Sequence, residues 1–127
     1  MRNYQRKKNN PYILPESLYK RMKYLIRDCR RMQKERSDIL FGTPVSDGVP
    51  HSGIGNPTEH KALKLIVIDR ECDAFDKALK VVPEEYRKGV LDNICNDSPY
   101  PYSAHRNTYW YWKSKLIYTL AENLNYI

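Results

Sequence analysis

The residues of this 127-residue chain best suited to chemistry gather near its C-terminus. There Asn107, Tyr111, Ser114 and Tyr118 recur at helical spacing, with Arg106 and Lys115 beside them. With Leu116 taken as the core direction and about 100° per residue, these four fall on the face turned away from it. Asparagine can pair bidentately with adenine and arginine with guanine, while serine and tyrosine hydroxyls suit phosphate oxygens. That is the chemistry of reading a DNA major groove. The neighbouring run Tyr109-Trp110-Tyr111-Trp112 could instead form a thick packing stripe, since aromatic runs usually pack. Trp110 and Tyr111 cannot both face inward with Tyr109 and Trp112, however, so some aromatic surface is left for a partner.

Other reactive residue types lack the spacing that chemistry needs. Asp69, Glu71, Asp73 and Asp76 are close in sequence, and Asp69, Asp73 and Asp76 can share a helix edge. No Glu-x-x-His accompanies them, as a di-metal bundle would require, so they read as a solvated edge paired with Arg70, Lys77 or the basic first helix. His51, His60 and His105 are scattered, with no HExxH or Cys/His spacing, and read as surface residues. Cys29, Cys72 and Cys95 are an odd number at wide spacing, which fits neither a disulfide framework nor a CxxC metal site. The glycines of residues 42–57 match neither a P-loop nor a dinucleotide fingerprint. The expectation is a non-enzyme without metal or cofactor.

Charge points the same way. The formal net charge is +7, and residues 1–36 hold 12 Lys/Arg against Glu16, Asp28 and Glu35, or +9. Such a stretch gains affinity for polyphosphate by releasing condensed counterions, without sequence preference. A solvated helix face kept basic for solubility would have the same composition. The longest uncharged apolar run, residues 65–68, is far short of the roughly 20 residues that span a bilayer. The basic N-terminus is not followed by the apolar segment of an export signal, so no membrane association and a bacterial host cytoplasm are expected.

These residues need elements to hold them. Residues 1–14 read as a flexible basic arm. A helix follows from Pro15 and Glu16 to about residue 40, with Leu18, Met22, Leu25, Cys29, Met32, Arg36 and Ile39 as an a/d seam interrupted by Arg36. After a Gly/Pro-rich connector, Asn56-Pro57-Thr58-Glu59 starts a second long helix: cap, helix-opening proline, and an acid reaching back. Its seam is Leu65, Ile68, Cys72, Phe75, Leu79 and Val82, ending before Pro83. The two seams can meet within the chain or pair with a second copy. Leu18, Met22, Leu25, Met32, Leu65, Ile68, Phe75 and Leu79 are therefore candidate homodimer contacts.

A shorter helix spans residues 84–95, with Tyr86, Val90, Leu91 and Ile94 apolar. Ser103 then caps a last helix whose inward stripe is Tyr109, Trp112, Leu116, Leu120 and Leu124. A short helix, a turn and a longer polar-fronted helix is the order of a helix-turn-helix, although residues 96–102 exceed the usual turn. No period-2 pattern marks a strand. The expectation is all-α: a flexible arm (1–14), a long helical hairpin (15–82) and a helix-turn-helix-like pair (83–127).

The basic helix, the loop ending in Asn56-Pro57-Thr58-Glu59, Lys61-Ala62, and the C-terminal run from Thr108-Tyr109-Trp110-Tyr111-Trp112 to Asn123-Leu124 resemble small Firmicutes phage and prophage transcriptional regulators of the RinA and ArpU type. The resemblance covers roughly residues 15–127. It implies a phage-type regulator whose C-terminal helix-turn-helix binds double-stranded DNA to control late genes. On this reading Ser103, Arg106, Asn107, Tyr111, Ser114 and Lys115 contact DNA, while Arg2, Arg6, Lys7 and Lys8 track phosphates. Two other readings fit the same residues: a module docking on a host protein such as RNA polymerase, and a small-terminase-like packaging component.

Overall fold

The computed structural model describes Gln5 and residues 10–41 and 57–127 of the chain. These form α1 (Glu16–Phe41), α2 (Pro57–Leu79), α3 (Glu84–Asn96) and α4 (Arg106–Asn123), with no strand among the described residues. The all-α expectation holds. Arg2, Arg6, Lys7 and Lys8, the connector with His51, and the Asn56 cap lie outside the described residues.

α1 starts where Pro15, which needs no N–H, offers its carbonyl to Tyr19 N–H at 2.9 Å. Glu16 adds an i,i+4 ion pair with Lys20 at 3.1 Å. Tyr19, Met22, Ile26, Cys29 and Met32 are buried, a wider face than the a/d seam, because α1 packs on α2, α3 and α4 together. Arg36, which interrupts that seam, is what ties α1 to α2. Its Nε lies 2.8 Å from Asp69 Oδ1, and its Nη1 lies 3.8 Å from Asp73 Oδ1. Beside it, Lys64 pairs with Glu35. The acidic edge of α2 thus pairs with the basic first helix, and the two helices run antiparallel.

α3 ends at Asp97, whose φ of 53° is the left-handed conformation usually taken by glycine at a helix end. Asp97 N–H donates to Asn93 O at 3.1 Å and Ser98 N–H to Asp92 O at 3.3 Å, which satisfies the last carbonyls. Arg27 of α1 holds this end in place, donating through Nη2 to Asp97 Oδ1 at 3.0 Å and through Nε to Ile94 O at 2.7 Å.

α4, like α1, contacts the three other helices. Tyr109, Ser114, Leu116, Ile117, Leu120 and Ala121 are buried, followed by Leu124. A single core cluster runs through all four helices. Four of the eight positions expected to pair two chains, Met22, Met32, Ile68 and Phe75, are buried within this one chain and offer no surface to a second. Leu18, Leu25 and Leu79 pack against the same core, and Leu65 is half-buried. Among the described residues no helix is long and apolar enough to cross a membrane.

Candidate nucleic-acid interface

α4 exposes Arg106 and Asn107 at its start and Tyr111 one turn on, while Tyr109 between them is buried. His105 caps it, its Nδ1 accepting from Asn107 N–H at 3.1 Å, where Ser103 was the expected cap. Ser103 instead shares a 2.5 Å hydrogen bond with Tyr109 O–H across the α3–α4 turn. Its hydroxyl is thereby committed to holding that turn. Arg106 and Asn107 are exposed, and no acid stands in the first turn of α4. A helix N-terminus without acids favours phosphate through its dipole.

The aromatic run divides as its spacing requires. Tyr109 turns inward, stacked on Tyr100 at 5.5 Å and edge-on to Tyr86 at 5.4 Å. Trp112 lies half-buried, stacked with Tyr86 at 6.5 Å. Tyr111 faces out, 41% exposed. Ser114, expected on the outer face with it, is 7% exposed. The reasoning that placed it outside gave α4 one packing face, whereas the fold packs α4 against three helices.

Sequence reasoning missed Tyr12. This residue of the N-terminal segment lies across the outer face of α4, with ring centroids 5.8 Å from Tyr111 and 5.5 Å from Tyr118. Its hydroxyl is 3.5 Å from that of Tyr111, and this contact, ahead of burial, raises the Tyr12 pKa above the usual tyrosine value. Lys115 completes the cluster, its Nζ 5.4 Å from the Trp112 ring and 5.9 Å from that of Tyr12. The segment is clipped in place. Gln5 Nε2 donates to Leu14 O at 2.7 Å, Leu14 N–H returns to Gln5 Oε1 at 2.8 Å, and Leu14 itself is buried. Asn10 Oδ1 accepts from Tyr12 N–H at 2.9 Å, an Asx turn that aims the tyrosine.

Two lysines lie behind this surface. Lys113 Nζ donates to Asn93 Oδ1 at 2.8 Å, and burial, reinforced by Lys23, pushes its pKa down to about 8. Lys23 is 2% exposed, and burial lowers its pKa as well. The thiols are poor nucleophiles: burial raises Cys29 to about 12 and also raises Cys72 and Cys95. Cys29 and Cys95 line a cleft of about 380 Å³ with Ile26, Phe75 and Leu91. Among the described residues no group of three or more His, Cys, Asp or Glu is placed to hold a metal ion. Asn107, Tyr111 and Lys115 thus lie along one side of α4 with Tyr12 packed on the last two, Arg106 is exposed on the opposite flank from Lys115, and Ser103 and Ser114 do not join them. The chain matches none of the family models, curated proteins or solved structures with which it was compared.

Proposed function

We propose that this protein is a DNA-binding transcriptional regulator of phage type, seating the first turns of α4 in the major groove with its basic arm on the flanking phosphates. One observation carries the reading: Tyr12, in the N-terminal segment that follows the basic residues in sequence, packs on Tyr111 of α4. A recognition helix needs a polar N-terminal turn for base edges and an anchored remainder, and α4 has both. Arg106 and Asn107 read bases, while Lys115 and the hydroxyl of Tyr111 contact backbone. Arg2, Arg6, Lys7 and Lys8 add sequence-independent affinity.

Selection of bound duplexes from a random library tests the reading. The expected outcome is an enriched site, and Asn107→Ala relaxes preference at one position of it, at a cost of about 1–3 kcal/mol. A library that returns no enriched site contradicts sequence-specific regulation.

A further inference from the structure

From Ser98 to Ala121 the chain contains no Asp or Glu, while it holds Arg106, Lys113, Lys115 and seven Tyr or Trp. Tyr100 and Tyr109 stack within the fold. Other rings of the stretch stay in reach of solvent. Tyr111 is 41% exposed, and its ring neighbours Tyr12 and Trp112 meet it at 67° and 78°, so neither is stacked on it. Tyr12 reaches on to Tyr118, with 5.5 Å between centroids, which makes one connected set of four rings drawn from two segments of the chain. Lys115 stands over three of them, its Nζ 6.0 Å from the Tyr111 ring. Tyr102, in the turn before α4, is wholly exposed as well.

Paired bases leave most of that ring surface unused. In a duplex each base is covered on both faces by its neighbours, so a side chain in the major groove meets base edges and reads them by hydrogen bonding. An unpaired base offers its face. A tyrosine ring can cover that face whatever the base, and a cation beside it takes an adjacent phosphate. We infer that the cluster of Tyr12, Tyr111 and Lys115 is a binding site for single-stranded DNA, in which an unpaired base stacks on Tyr111 and the Lys115 ammonium, with its three donors, holds a neighbouring phosphate. The lack of acids across the stretch selects a polyanion, and the outward rings select unpaired bases over paired ones. This site goes beyond major-groove reading and does not depend on it.

Fluorescence anisotropy on the full chain tests it, with an oligothymidylate of about 12 nucleotides and an abasic strand of the same length. Both strands carry the same phosphates, so the difference between them isolates stacking. Wild type is expected to bind the thymidylate about five- to a hundredfold more tightly than the abasic strand, the range that one stacked base supplies. Tyr111→Phe keeps that preference. Tyr111→Leu loses most of it while its helical circular dichroism stays as in wild type. Equal affinity for the two strands, or a preference that survives Tyr111→Leu, overturns the inference. A thymidylate carrying one 2-aminopurine keeps it testable if the leucine variant fails to fold: wild type is expected to quench its fluorescence on binding, and unchanged fluorescence also overturns the site. Thymidylate binding without duplex binding sustains this site and sinks the major-groove reading, and duplex binding without base preference on single strands does the reverse.

Discussion

Lys113 Nζ lies 2.8 Å from Asn93 Oδ1, which places a lysine charge inside the joint between α3 and α4. Burial lowers its pKa from the ordinary 10.5 to about 8. Between those values the unfolded chain holds a proton that the folded chain has released, so this lysine makes stability rise with pH across that window. Below pH 8 both states are protonated and the fold carries the whole penalty, on the order of 1–3 kcal/mol after allowing for partial solvent screening. Lys113→Met is expected to be more stable than wild type at pH 7, with the advantage shrinking as pH rises from 8 toward 10. The difference between the two urea titrations isolates the effect. Cys29, raised to about 12, pulls the other way in both proteins above pH 9. A difference that does not change with pH contradicts the assignment.

Gly89 sits in α3 where it crosses the α3–α4 turn. A Cβ there would meet Tyr109 Cε1 at 2.7 Å and Pro101 Cδ at 2.9 Å. Helix propensity alone favours Gly89→Ala by about 1 kcal/mol. Overpacking against a buried ring and a proline costs about 1–3 kcal/mol, and it wins here because neither neighbour can swing away. Urea denaturation is expected to show a net loss of stability. A stabilised variant would mean that this crossing is looser than described.

Much of the fold is legible in the sequence because its helix boundaries are written in local chemistry. Pro15, Pro57 and Pro83 open three helices or immediately precede them, and the apolar spacing of α1 and α2 gives their lengths. The acidic edge of α2 and the stray Arg36 of α1 find each other as charge pairing demands. What spacing could not give was how many neighbours each helix has. Ser114 and Lys113 go inside because α4 packs against three helices, a property of the tertiary arrangement with no periodic signature. Ser103 is a sound cap by type, but the ring nitrogen of His105 takes that role and Tyr109 takes the serine. Tyr12 was invisible for a different reason: it acts across 99 residues of sequence, from a segment whose composition reads only as a basic arm.

Tyr12→Ala removes the aromatic contact that joins the arm to α4 and no charge. A loss of about 1 kcal/mol in stability is expected from the missing ring pairs. DNA affinity should fall several-fold at fixed salt while its salt dependence stays near wild type, because the arm's cations remain but are no longer aimed. Affinity equal to wild type would mean that the arm needs no anchor.

The central claim is that the exposed residues at the start of α4 and the arm form one DNA-binding surface. Fluorescence anisotropy with random duplex DNA across a salt series tests it directly, comparing wild type, Arg106→Ala/Asn107→Ala, and Arg6→Ala/Lys7→Ala/Lys8→Ala. Wild-type affinity should fall steeply with salt, at a logarithmic slope of about −0.9 per phosphate neutralised. The arm variant should flatten that slope, and the α4 variant should weaken binding without unfolding. No binding by wild type at low salt, or binding indifferent to both variants, would contradict the account.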